Sequence, residues 1–314
     1  MNFGPVLTPD GTSARLDATL AWWLLLGGAA LFVLVLALLL RGVFSRARPL
    51  RPGLWVLGGG VLLPLVVLGA LGSYGLRDLA GPAFAPSTRA LVAIDAKPWW
   101  WQIRLIDPAG GADLVLANEL VLPVGRPVRL ALTSHSLIHS LWVPALAGKM
   151  DLIPGHINHL TLQADRPGTW RGPCAEFCGI AHARMVLNVV ALPPPQYEAW
   201  LRQQRQDAAP PRTPAQQRGR QHFIELQCGN CHTVRGVVRQ LQGLGIDPDM
   251  GGPDLTHLAS RQFLGAGTLA NDADGLRAWI GNAPQLKPGT RMPSYERLDA
   301  ATLDALVAYL HSLE

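Results

Sequence analysis

Cysteine is scarce in this 314-residue chain: there are four, at positions 174, 178, 228 and 231. They fall into two tight pairs, so none is left to bridge distant strands. A scaffold stapled by long-range disulfides is thereby excluded, and local closure within a pair is the remaining structural alternative. Histidine is absent before His135. Charge is absent from Leu20 to Leu40 and again from Gly53 to Leu76, and acidic residues are absent from the loop between, which holds Arg41, Arg46, Arg48 and Arg51. The net charge of +5 owes much to those four arginines, and no basic stripe elsewhere offers a face to nucleic acid.

The uncharged runs are long enough for the hydrocarbon core of a lipid bilayer, which takes about 20 helical residues. A cleaved signal peptide would start basic and have a shorter apolar core, whereas the first 19 residues hold Asp10, Arg15 and Asp17. We therefore expect a multi-pass membrane anchor: an N-terminal segment 1–78 with two transmembrane helices at about 20–40 and 53–76. The arginine loop then lies in the cytoplasm, with both chain ends outside.

Beyond Arg77 the pattern changes to period two. Val128, Leu130 and Leu132 alternate with Arg129, Ala131 and Thr133, and Leu160, Leu162 and Ala164 alternate with Thr161 and Gln163. Half-buried strands read this way, so residues 79–195 are expected to form a β-sandwich or barrel. Residues 196–213, rich in Pro and Gln, read as a linker with one helical turn around Tyr197 to Arg202. From 214 to 314 the pattern is helical, ending in a helix capped by Asp299 whose Leu303, Leu306, Val307 and Leu310 repeat at i, i+3, i+4 and i+7.

Chemistry concentrates in Cys174-Ala-Glu-Phe-Cys178-Gly-Ile-Ala-His182-Ala-Arg-Met185. Two thiols, an imidazole, a thioether and a carboxylate lie within reach of one metal site. Thiolate, thioether and imidazole together favour copper, since a thioether is not a usual ligand of structural zinc. A second imidazole has to come from elsewhere on the sandwich, and His139 is the best candidate. His135 and Met150 lie off the motif, and His156 and His159 read as surface groups.

These segments resemble subunit II of cytochrome c oxidase. The likeness is carried by His139-Ser-Leu-Trp-Val-Pro, Lys149-Met-Asp-Leu-Ile-Pro-Gly155, the 174–185 motif, the preceding hairpin and the run Trp99-Trp100-Trp101. The resemblance implies a cupredoxin-like sandwich holding a dinuclear CuA centre. Cys174 and Cys178 would be bridging thiolates, His139 and His182 terminal imidazoles, and Met185 and the Glu176 carbonyl weak ligands. It also implies a magnesium ion at the boundary with the catalytic subunit, held by the Glu176 side chain with Asp151 nearby. Trp99 aligns with the aromatic through which electrons arrive, although Lys97-Pro98 precede it where the family often has His-Gln. Packing in the sandwich core is an equal reading for Trp100 and Trp101.

Cys228-Gly-Asn-Cys231-His232 is the C-x-x-C-H signature of covalent haem attachment, with His232 as the proximal ligand. A redox or zinc C-x-x-C with an incidental histidine is the plainer alternative. With Lys287-Pro-Gly-Thr-Arg-Met292-Pro downstream, this part resembles a small all-α class I cytochrome c. That likeness implies Met292 as distal ligand, a contact of the terminal helices at Gly219, Phe223 and Tyr309, and a Pro253 carbonyl orienting His232. His222, His257 and His311 read as surface or satisfied groups. A methionine–histidine pair would raise the haem potential into an electron carrier's range.

Neither membrane run contains a histidine, so the chain cannot house an oxygen-reducing haem and copper. The resemblance implies the electron-input subunit of a haem-copper cytochrome c oxidase, partnered by subunit I and by subunit III, with cytochrome c or another respiratory donor upstream. Its place would be the bacterial inner membrane, with the CuA and haem domains on the periplasmic face. The same module in a CuA-containing nitric oxide reductase is the nearer alternative, and a non-catalytic role in copper delivery the more distant one.

Overall fold

A computed structural model describes residues 8–44, 52–79, 92–107, 110–238 and 251–314. Arg46, Arg48 and Arg51 of the basic loop lie outside the described residues. The chain divides into two compact units, residues 16–88 and a second formed by 1–15 with 89–314.

In the first unit, helix α1 (Thr12–Phe44) runs beyond the expected 20–40 in both directions. A second helical run starts at Leu54 and is π-wound to Leu62 before continuing as α2 (Leu63–Leu79). Pro64 offers no N–H to the helical ladder, and the Leu63 N–H reaches back five residues to the Gly58 carbonyl. Such local rewinding re-satisfies backbone groups that proline leaves open in apolar surroundings. Both helices are long and apolar enough to cross a membrane, and their apolar windows are not buried by protein. A helix apolar on all sides and uncovered by protein requires another apolar solvent.

The second unit begins with a sandwich. Strands β1 (Val92–Lys97), β2 (Trp100–Leu105), β3 (Leu114–Ala117), β4 (Glu119–Pro123) and β5 (Val128–Ser134) are followed by a short pair, β6 (His139–Leu141) and β7 (Met150–Leu152). Then come β8 (Asn158–Leu162), β9 (Gly168–Pro173) and β10 (Val186–Leu192). One sheet has the order β3-β2-β1-β5-β8, with β1 and β5 parallel; the other is β4-β10-β9, with β4 and β10 parallel. The alternation of β5 appears as strictly alternating burial. Ile94, Trp101, Ile103, Leu120, Leu130 and Leu132 fill the core between the sheets.

The segment before α1 is tied onto this sandwich. The Asp10 carboxylate accepts from Arg166 Nε at 2.7 Å and Nη2 at 2.8 Å and from Trp170 Nε1 at 2.9 Å. The bond from Arg166 holds the Asp10 carboxyl below the usual carboxylate range, against the opposing effect of burial. Gly11 is required beside it, because a Cβ there would press on the carbonyls of Gln163 and Leu146.

The stretch read as a linker holds more structure than its composition suggested. Helix α3 (Pro194–Gln204) has proline in its first turn, where a missing N–H costs nothing. Trp200 and Leu201, both within the expected turn, pack against the sandwich core. Polar composition masked a short apolar stripe.

The helical part contains α4 (Pro214–Glu225), α5 (Ala273–Leu286) and α6 (Ala300–Leu310), with a hairpin of β11 (Phe263–Leu264) and β12 (Leu269–Ala270) between α4 and α5. Thr213 and Gln216 form a reciprocal capping box on α4. Asp272 and Asp299 cap α5 and α6 through the N–H groups of Gly275 and Thr302. Helices α4 and α6 cross at Gly219, where any side chain would overlap the Ala305 carbonyl, and the Phe223 and Tyr309 rings meet edge-on at 5.8 Å. Gly219→Ala should therefore lower the stability of the helical part by about 1–3 kcal/mol. Gly281→Ala, which meets open space, should leave its thermal midpoint unchanged or raise it. Equal midpoints for the two variants by circular dichroism would contradict the packing account.

Candidate metal centre

Three pieces of the sandwich deliver the thiol cluster. The β6–β7 pair presents His139, β9 runs out into Cys174, and a 3-10 turn at His182–Arg184 returns the chain through Met185 into β10. The loop is pinned at its neck: the Cys174 N–H donates to the Met185 carbonyl at 2.9 Å, and the Ala175 N–H to the Ser140 carbonyl at 2.9 Å. Gly179, with φ +108°, allows the chain to turn between the second thiol and His182.

The expected donors converge. His139 Nδ1 lies 3.8 Å from Cys174 Sγ, the two sulfurs are 3.8 Å apart, and Cys178 Sγ lies 3.6 Å from His182 Nδ1. The Glu176 carbonyl is 3.3 Å from Cys174 Sγ, and Met185 is fully buried beside the cluster. Both thiols are free and buried. The two sulfurs perturb each other: contact with Cys178 holds the Cys174 thiol well below its ordinary range, and contact with Cys174 together with burial pushes the Cys178 thiol well above it. His139 Nε2 is buried with no hydrogen-bond partner, so its ring is oriented by packing, with Trp101 edge-on at 6.3 Å. Paired sulfurs flanked by two imidazole nitrogens in a dry pocket suit a soft metal and offer little to a hard one.

The second motif opens on a cavity of about 400 Å³ whose walls include Cys228, Cys231, His232 and Met292. His232 Nδ1 donates to the Pro253 carbonyl at 2.7 Å, which leaves Nε2 as the free ring nitrogen. Gly252 lies flat against that ring, where a Cβ would stand 2.8 Å from Nδ1. Burial lowers the pKa of His232 and raises that of Cys228 to about 11.

The tryptophan run divides three ways. Trp101 is core, and Trp100 is half-buried on the wall of the cavity. Trp99, which also lines the cavity, occupies the second position of the two-residue turn joining β1 to β2, with φ +62°. Its indole N–H donates to the Cys178 carbonyl at 2.9 Å. The cavity and the thiol cluster thus have Trp99 in common.

Sequence reasoning missed the contacts that hold the helical part to the sandwich. The Val186 N–H donates to the Ala266 carbonyl at 3.0 Å, and Gln262 N–H to Glu119 at 3.1 Å. Lys287 Nζ donates across to the Trp99 carbonyl at 2.7 Å. Burial raises the pKa of Glu119 and lowers that of Lys287 to about 7. The signal available was slight: Gly265 and Gly267 flanking Ala266, all three with positive φ. Two further histidines are satisfied by other partners. His257 is buried between the carbonyls of Gln206 and Glu314, and His222 pairs with Glu225.

Residues 98–192 match the family described as cytochrome c oxidase subunit II, periplasmic domain, and residues 216–314 match cytochrome c. Cytochrome c oxidase subunit 2 of Alkalihalophilus pseudofirmus is 35% identical over 223 residues, covering 71% of this chain and 61% of that protein. The corresponding protein of Bacillus sp. strain PS3 is 27% identical over 263 residues, 81% of this chain and 71% of that one. The chain thus spans about three fifths of the length of the first of these relatives. A solved structure of the periplasmic domain of subunit II of cytochrome oxidase from Bradyrhizobium japonicum is 26% identical, with a TM-score of 0.32 over 37% of this chain and 94% of that one. Through residues 98–192 the chain belongs to the cytochrome c oxidase subunit II family, with a domain of the cytochrome c family following at 216–314.

Proposed function

We propose that this chain is the electron-input subunit of a haem-copper cytochrome c oxidase. It takes electrons from cytochrome c, or another respiratory donor, through its own c-type haem to CuA and on to a partner subunit that reduces oxygen and pumps protons. The observation that carries this reading is the place of Trp99, which walls the Cys228–His232 cavity and is hydrogen-bonded to the backbone of Cys178.

When bound, a dinuclear copper centre and a covalent haem supply one-electron carriers of small reorganisation. In this reading Cys174 and Cys178 would hold the copper centre together with His139 and His182, whose Nδ1 atoms face the sulfurs, and with Met185 and the Glu176 carbonyl as further donors. The Glu176 carboxylate, an oxygen donor suited to a hard ion, would hold magnesium. Cys228 and Cys231 would attach the haem, and His232, its tautomer set by Pro253, and Met292 would ligate it. Subunits I and III are the partners, and the anchor 1–78 holds the copper domain 79–195, the connecting segment 196–213 and the haem domain 214–314 on the periplasmic face of the inner membrane.

Cys178→Ser should abolish the near-infrared copper absorption and leave the haem bands intact; joint loss of both would contradict separate sites. Ligation requires thiolates and releases whatever protons the thiols hold, so copper uptake should weaken on acidification by about tenfold per pH unit for each proton released, measured by copper titration between pH 5 and 8. A pH-independent affinity would contradict thiolate ligation. The purified complex should consume oxygen with reduced cytochrome c, and turnover of nitric oxide instead would assign the module to a reductase.

A further inference from the structure

Lys287 is a buried cation without a counter-ion. It is 3% exposed and, among the described residues, forms no ion pair with a carboxylate. Its Nζ donates to two backbone carbonyls, Trp99 at 2.7 Å on the sandwich and Gly265 at 2.8 Å on the β11–β12 hairpin. Burial disfavours its protonation, and the nearby Arg184 guanidinium adds to that. Arg184 itself donates to the Leu286 carbonyl, the residue before Lys287. An ammonium held dry by carbonyls alone is costly to bury, and an apolar residue of similar length would pack there without that cost.

What the ammonium holds is unusual in its own right. Trp99 has φ +62°, a region that bulky side chains rarely adopt. Its ring is confined by two glycines, Gly179 of the copper loop and Gly289 of the haem domain, where a Cβ would come within 3.3 Å and 2.8 Å of the indole. With the indole N–H on the Cys178 carbonyl, the orientation of both ring and backbone is fixed.

We propose that Lys287 is a positioning residue that registers the haem domain on the copper domain by holding the Trp99 carbonyl and the Gly265 carbonyl on one ammonium. It acts through Trp99, and its effect on transfer rests on the electron-input reading above.

The test uses the full chain in its complex. Lys287→Met keeps length and removes the donors, and Lys287→Arg restores them. With haem and copper spectra unchanged, Lys287→Met should speed amide hydrogen exchange at residues 99–100 and 263–270 by about tenfold or more, the loss expected for charged hydrogen bonds. Copper reduction after flash reduction of the haem should slow by a similar factor of about ten, and Lys287→Arg should recover most of both. Exchange within about twofold of the unsubstituted protein in Lys287→Met would overturn the proposal. If Lys287→Met fails to assemble either chromophore, Lys287→Gln replaces it under the same criteria. If the unsubstituted protein itself passes no electron from haem to copper, the electron-input reading fails, and the exchange measurement still decides the role of Lys287.

Discussion

A two-residue turn, Pro98-Trp99, is the constraint on which the two sites jointly depend. Its backbone must take a left-handed step to bring Lys97 back beside Trp100 in the β1–β2 ladder. Elsewhere that step belongs to glycine or asparagine, because a Cβ makes it unfavourable by about 1 kcal/mol or more. Here the step directs an indole N–H to the carbonyl of Cys178 and a carbonyl to Lys287. Remove the turn, and the thiol cluster and the C-x-x-C-H cavity lose the residue they share.

The thiol cluster is held by its scaffold. Its neck is closed by backbone hydrogen bonds to Met185 and Ser140, and its two imidazoles present the same ring atom to the sulfurs. A scaffold fixed in this way suits a carrier whose geometry must change little as it gains and loses an electron. The haem side follows the same logic, with Pro253 and Gly252 fixing His232 from two directions.

How much of this the sequence disclosed follows from the range of each interaction. The thiols, His182 and Met185 lie within twelve residues, so spacing alone exposed them, and the alternation of β5 was equally local. His139 required the idea of a second imidazole from the same sandwich. The helix cap at Asp299 was legible because local chemistry dictates it, whereas the crossing at Gly219 was expected only through the likeness to cytochrome c. The docking was not legible. Val186 with Ala266, Glu119 with Gln262 and Lys287 with Trp99 join residues far apart in the chain through backbone atoms, which leave no trace in side-chain pattern. Helix α3 was expected only as one turn around Tyr197 to Arg202, since prolines and glutamines outnumbered the Trp200 and Leu201 that anchor it. Residues 89–314 consequently form one compact unit, where composition had suggested two joined by a loose tether.

In the proposed function, electrons reach copper from the haem of the same chain, past Trp99. Flash photoreduction of the haem in the fully loaded complex, followed at the haem and near-infrared copper bands over a range of protein concentrations, tests it directly. Haem reoxidation and copper reduction should share one rate constant that does not change with concentration. A rate that rises in proportion to concentration, or haem reoxidation with no change at the copper band, would contradict it.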